Sequence, residues 1–192
     1  MNMNRPFVAM VSSVLLSGVA NADIKAGEEK ARLCSLFCHD NGSHDGGLAP
    51  LLEAQPALYL YVQLKAFKEK RRSGGGMDIN TSAMSEQDMR DISEFFAAQE
   101  LPPTPFRPDP AKVALGRQTA QDLKCASCHQ SDYKGKDEIP GLAGQWWDYV
   151  TAQLKNFRSG RRSHGVTAAT DGTRNPGSQE SEYLAHYFGQ LK

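Results

Sequence analysis

Apolar residues recur on one helical face at two places in the chain. Leu60, Leu64 and Phe67 are spaced i, i+4, i+7, and Val150, Leu154 and Phe157 repeat that spacing 90 positions later. A further helix is predicted near the end of each half, from Met89, Ile92, Phe95 and Phe96 in the first and Leu184, Tyr187 and Phe188 in the second. Ser85-Glu86-Gln87-Asp88 offers the first of these a capping-box start. No segment alternates apolar and polar residues as a half-buried strand does, so the pattern predicts an all-α fold. Each half reads as a short helix carrying a cysteine cluster, a Gly/Pro-rich loop, an amphipathic helix, a polar loop and a terminal helix.

The same 90-residue offset runs through the polar positions. Cys38-His39 falls on Cys128-His129, Pro50 on Pro140, Leu52 on Leu142, Gln55 on Gln145 and Tyr59 on Tyr149, and QLKAFKEKRR (63–72) falls on QLKNFRSGRR (153–162). A repeat of this length is one structural unit used twice. Between the copies, LPPTPFRPDP at 101–110 sets prolines at 102, 103, 105, 108 and 110, which removes amide donors and stiffens the backbone into a linker. The expected organisation is a leader at 1–22, an N-terminal domain at 23–100, the linker, and a C-terminal domain at 111–192. Domains this small bury limited surface, so a bound cofactor would contribute much of each core.

Two features place the chain. The 22 Lys and Arg balance the 22 Asp and Glu, which excludes the basic signature of a nucleic-acid groove. Residues 1–22 carry Arg5, an apolar stretch from Phe7 to Val19 and a terminal Ala20-Asn21-Ala22, the layout of a cleaved secretory signal peptide. The apolar stretch is shorter than the ~20 residues that cross a bilayer, so the mature chain is expected to lack a membrane span. The expected compartment is the periplasm. Four free thiols are at risk there, so the cysteines should be occupied by something covalent or metallic.

All four cysteines fall in two tight clusters. Cys125-Ala126-Ser127-Cys128-His129 has the C-x-x-C-H spacing of c-type haem attachment: two thiols one turn apart can add to the two vinyl groups, and the next imidazole can reach the iron. A redox disulfide or half a zinc site is the competing reading. Zinc wants four ligands and a thioredoxin-like site wants a βαβ setting. The first cluster, Cys34-Ser35-Leu36-Phe37-Cys38-His39, has one extra residue. Positions i and i+4 still lie about a turn apart on a helix, so attachment through Cys34 and Cys38 with His39 as iron ligand stays open, beside a single thioether or a Cys34–Cys38 disulfide.

With these clusters, the two proline loops, the paired QLK segments and the terminal FFAAQ and HYFGQL helices, nearly the whole mature chain resembles the dihaem cytochromes c4, tandem class I cytochrome c domains. The resemblance implies two covalently attached haem c groups, each iron held by His on one side and by Met on the other. It implies Met77 as the distal ligand of the first haem, with Met84 the less suited candidate because it sits at the apolar entry to the last helix. The second copy departs from that pattern. No methionine follows Met89, and Thr167 stands where Met77 would map. His164 could supply a second imidazole, the iron could stay open or bind water, or another chain could supply a ligand; an exposed loop position is the plainer reading of His164. Loss of methionine lowers a haem potential, so the two haems should differ.

The function implied is one-electron transfer between redox proteins such as a quinol-oxidising complex, a terminal oxidase or a periplasmic dehydrogenase. No nucleophile and base pair stands out in the sequence. The alternative is a haem enzyme or small-ligand sensor working at an open second iron, and a poorer one is a disulfide-linked binding module without haem. His44 and His186 read as solvated. Lys65, Lys68, Lys70, Arg71 and Arg72, with Lys155, Arg158, Arg161 and Arg162, complement helix C-termini or meet haem propionates or an acidic partner.

Overall fold

The computed structural model describes residues 21–39, 49–163 and 174–192. Almost all of the leader, together with His44 and His164, lies outside the described residues. Within them the chain forms eight helices and no strand: α1 (Ile24–Phe37), α2 (Ala57–Lys68), α3 (Met77–Asn80), α4 (Glu86–Ala97), α5 (Pro110–Asp122), α6 (Ala126–His129), α7 (Trp147–Arg158) and α8 (Ser178–Gly189). No described helix is long and apolar enough to cross a membrane.

The predicted apolar faces are the faces that pack. Leu60 and Phe67 of α2, Met89, Ile92 and Phe96 of α4, Val150 of α7, and Leu184, Tyr187 and Phe188 of α8 are buried. α1 and α2 pack on α4, and α5 and α7 pack on α8, so each copy is assembled round its terminal helix. α4 begins at the expected capping box: Ser85 Oγ accepts from Asp88 N at 3.1 Å, and the Asp88 carboxylate accepts from Ser85 N at 2.7 Å. α8 begins at Gly177, whose amide donates to Glu180 at 2.7 Å.

The cysteine clusters sit differently from the short helices expected. The 14-residue α1 carries Cys34, whereas the 13-residue α5 stops short of Cys125 and the second cluster continues into the single turn α6. Large apolar side chains did not announce α1 and α5 because small residues make their contact faces. A Cβ on Gly27 would lie 2.1 Å from the Asp91 carbonyl oxygen of α4, and one on Gly116 would lie 2.0 Å from the Tyr183 carbonyl oxygen of α8. Only glycine lets the two backbones touch there. Asp23 caps α1 by accepting from Lys25 N at 2.9 Å and Ala26 N at 3.1 Å. Asp109 caps α5 by accepting from Ala111 N at 2.8 Å, with Pro110 in the first turn where its missing N–H costs nothing.

α1 is also pinned to α4 electrostatically. Lys30 reaches Asp88 at 2.8 Å and Asp91 at 2.7 Å, and Asp91, only 2% exposed, accepts further from Asp23 N and Gln87 Nε2. Burial pushes the Asp91 carboxyl up, but these donors outweigh it and leave it below its ordinary range.

Residues 101–109 carry no helix, yet they are packed. Phe106 stacks on Trp147 at 5.7 Å and against His186 at 5.2 Å, and Asp109 N donates to His186 Nδ1 at 3.0 Å. His186 is therefore half-buried under this segment, not solvated as its sequence position suggested.

The two copies meet in a reciprocal junction. Gln55 accepts from Gly141 N at 3.0 Å and donates to Gly141 O at 3.1 Å, while Gln145 accepts from Leu51 N at 2.8 Å and donates to Leu51 O at 2.9 Å. Gln145 is Gln55 shifted by 90 positions, and Gly141 is Leu51 shifted by the same amount. The junction thus has the self-complementary form of a two-fold dimer written into one chain. Leu51, Trp146 and Tyr149 form its buried apolar cluster, with Leu101 against them.

Candidate functional site

The two cysteine–histidine clusters occupy equivalent places beside the two cores. Cys34, in the last turn of α1, is half-buried against Ala31, Tyr59, Leu60, Ile92 and Phe96. Cys125 is half-buried against the core that contains Tyr133, Val150, Leu184 and Phe188. Cys38 and Cys128 are exposed. Each cluster therefore presents one inner and one outer thiol.

The histidines repeat one arrangement. His39 Nδ1 and His129 Nδ1 each donate at 2.8 Å to a proline carbonyl, that of Pro50 and that of Pro140. A carbonyl oxygen can only accept, so Nδ1 carries the proton and the Nε2 lone pair is left free. Burial lowers both imidazole pKa values, against the opposing pull of the proline carbonyl, and the Arg72 charge lowers His39 further. At neutral pH both rings are uncharged, the form that binds a metal.

Burial also pushes the Cys34 thiol up and the Cys125 thiol up to about 11. Those are poor settings for a thiolate nucleophile or an oxidoreductase dithiol. Among the described residues no group of three or more His, Cys, Asp or Glu side chains is gathered for a metal ion.

Met77 opens the short helix α3 behind Gly74, Gly75 and Gly76, all three with positive φ. It is half-buried, and its carbonyl is tied to Thr81, whose Oγ1 donates to it at 2.7 Å and whose N donates at 2.9 Å. α3 packs on α2. Met84 packs instead against the first core.

One constellation was not read from the sequence. Arg72 donates to Gln63 Oε1 at 2.6 Å and, across the junction, to Tyr149 Oη at 3.0 Å, with its guanidinium 4.6 Å from the centre of the Phe67 ring. Arg162 donates to Gln153 Oε1 at 2.7 Å and to Tyr59 Oη at 3.2 Å, 4.7 Å from the Phe157 ring. Each arginine thus binds the other copy's tyrosine. Burial pushes the Tyr149 phenol up, but the Arg162 and Arg72 charges outweigh it and hold it below its usual value. Among the described residues neither arginine has a carboxylate counter-ion. The signal that could have found them is the recurrence of an arginine and a tyrosine at one offset in both copies.

Comparison with known proteins gives these sites a context. The Cytochrome c family matches residues 113–191. Cytochrome c4 of Pseudomonas aeruginosa is 32% identical over 174 residues, spanning 84% of this chain and 85% of the relative. The chain belongs to the cytochrome c4 family. The crystal structure of reduced recombinant cytochrome c4 from Pseudomonas stutzeri matches with a TM-score of 0.75 at 27% identity, covering 89% of this chain and 100% of that one. The thiosulfate dehydrogenase electron acceptor of Stutzerimonas stutzeri is 26% identical over 212 residues, with 96% of this chain and 94% of the relative covered. As a cytochrome c4 this chain is an electron carrier that holds haem c covalently, and its architecture is the tandem helical cytochrome c fold. The haem-enzyme or sensor alternative draws no support from these relatives.

The residues present fit such a group. Haem c needs two thiols about a turn apart, a neutral imidazole with a free nitrogen and an apolar wall, and each cluster lies beside a core offering these. It also carries two propionate carboxylates, which suit Arg72 and Arg162, half-buried arginines with no carboxylate partner among the described residues.

Proposed function

We propose that this cytochrome c4 is a periplasmic shuttle with two haem c groups of unequal ligation, one in each copy of the repeat, the copies spanning residues 23–100 and 111–192. Cys34 and Cys38 with His39 hold the first, and Cys125 and Cys128 with His129 hold the second. The observation that carries this reading is the duplicated histidine: both Nδ1 atoms are spent on a proline carbonyl at 2.8 Å, which aims both Nε2 lone pairs at a ligand role. Met77 would hold the iron of the first copy together with His39. The second copy has no methionine of its own, so its ligand set differs and its haem has the lower potential.

Haem supplies the one-electron chemistry, exchanging ferric and ferrous iron. The chain's part is to anchor, orient and keep water away. The proline carbonyls fix the imidazoles, the two cores form dry walls, and Arg72 and Arg162, which bind Tyr149 and Tyr59 at the junction, would supply positive charge to the propionates. Partners of the dehydrogenase class follow from the likeness to a thiosulfate dehydrogenase electron acceptor.

A haem count tests the stoichiometry. Pyridine haemochrome analysis of the mature protein is expected to give two haems per chain, and Cys125→Ala/Cys128→Ala is expected to give one. A count of one in the unaltered protein would mean that the three-residue gap between Cys34 and Cys38 defeats attachment.

A further inference from the structure

The repeat is uneven in charge at one place. In the first copy two acids stand among the cations at the end of α2: Lys65 pairs with Glu86 at 2.9 Å and Arg71 with Glu69 at 2.5 Å, while Lys68, which donates to the Met84 carbonyl, and Lys70 make no ion pair among the described residues. The equivalent cations at the end of α7 are Lys155, Arg158 and Arg161. Arg158 keeps the carbonyl contact of its counterpart, reaching Pro176 O at 3.4 Å, and Arg161 donates to Asn156 Oδ1 at 3.2 Å. Both neutralising acids are gone. Ser159 stands where Glu69 maps, and Ser178 opens α8 where Glu86 opens α4. Among the described residues Lys155, Arg158 and Arg161 make no ion pair, and all three are exposed. Asp171 is the single acid anywhere between Tyr149 and Glu180.

We propose that Lys155, Arg158 and Arg161 form the docking face for an electron-transfer protein whose own redox centre is ringed by carboxylates, and that the equivalent face of the first copy does not serve this purpose. Complementing the helix dipole cannot explain the difference, because α2 and α7 end in the same way. What differs is the field each end presents to solvent. An uncompensated cluster on one side of the molecule steers an anionic partner and orients it, with a rate advantage that salt removes. The proposal deepens the electron-carrier reading and rests on it.

The test adds equal charge to the two copies of the full-length holoprotein. Ser159→Glu/Ser178→Glu returns the missing acids to the second copy, and Ser73→Glu/Ser82→Glu adds two acids at exposed positions of the first. Oxidation of the reduced proteins by hexacyanoferrate(III), a small anionic stand-in for the partner's carboxylates, is followed by stopped flow across a range of ionic strength. S159E/S178E is expected to slow the low-salt reaction by about tenfold and to flatten its salt dependence. S73E/S82E is expected to stay within about twofold of the unaltered protein. The same order is expected in the salt needed to elute each protein from a carboxymethyl resin. Equal slowing by both pairs would overturn the proposal, because net charge and not the face would then govern the rate; no slowing by S159E/S178E would overturn it too. Failure of hexacyanoferrate to oxidise the reduced protein at all would count against the carrier reading itself.

Discussion

His39 and His129 show how much one hydrogen bond decides. A histidine after a cysteine pair is readable in the sequence, but its tautomer is not, because the Pro50 and Pro140 carbonyls lie eleven residues further along and are brought back only by the fold. Met77 and Met84 pose the reverse problem: their residue type is the same and their surroundings differ. Met84 is packed against the first core, whereas Met77 opens α3 behind three glycines. Met77→Ala should abolish the methionine-to-iron charge-transfer band of the oxidised protein. Met84→Leu should leave the band intact and cost less than ~1.5 kcal/mol in urea unfolding, since the two side chains have similar volume. Arg72 and Arg162 were read as helix-end cations that complement the dipole or meet propionates or an acidic partner, but their tyrosine partners escaped the sequence for a physical reason. At a helix end an arginine is ordinarily solvated, and nothing local reveals that its neighbour is a tyrosine 77 or 103 residues away.

The amphipathic elements were legible because large apolar residues mark their buried faces; α1 and α5 were less so because glycine and alanine mark theirs. Gly116→Ala should destabilise the second copy by ~1–3 kcal/mol, measured by urea unfolding, because the new Cβ must displace backbone at Tyr183 and not a movable side chain. The segment over α8 carries a pH dependence. His186 must keep Nδ1 unprotonated to accept from Asp109 N, and burial lowers its pKa, as does Lys112, against the opposing charges of Glu182 and Asp109. A histidine whose folded pKa is depressed contributes stability fully above its unfolded value and loses it as pH falls through the folded one. Thermal stability should therefore drop between about pH 7 and pH 5, and His186→Gln should remove most of that drop. The carboxylates act in a lower window: Lys30 above all holds Asp88 down to about 2, and Arg174 above all does the same for Glu180, so their contribution fades only well below the histidine range.

At the scale of the whole molecule the repeat is the main fact, and the 90-residue offset alone makes it legible. What the offset could not reveal is that repeated residues serve each other across the junction. Gln55 and Gln145 stand in the sequence only as one repeated pair, yet both are buried and each satisfies the backbone of the opposite copy. Gln145→Ala leaves the Leu51 amide and carbonyl without their partner at about 1–3 kcal/mol for each group left unsatisfied. The expected result is a lower urea midpoint together with loss of a single cooperative transition, as the two copies begin to unfold separately. A single unchanged transition would show that the junction does not couple them.

The unequal ligation of the two copies is tested most directly by a spectroelectrochemical titration of the mature holoprotein, following the haem bands and the methionine-to-iron charge-transfer band together. Two one-electron steps at separate potentials are predicted, with the charge-transfer band following the higher step alone, as Met77 in one copy and the absence of any methionine in the other require. Two steps at one potential, or a charge-transfer band that follows both, would contradict it.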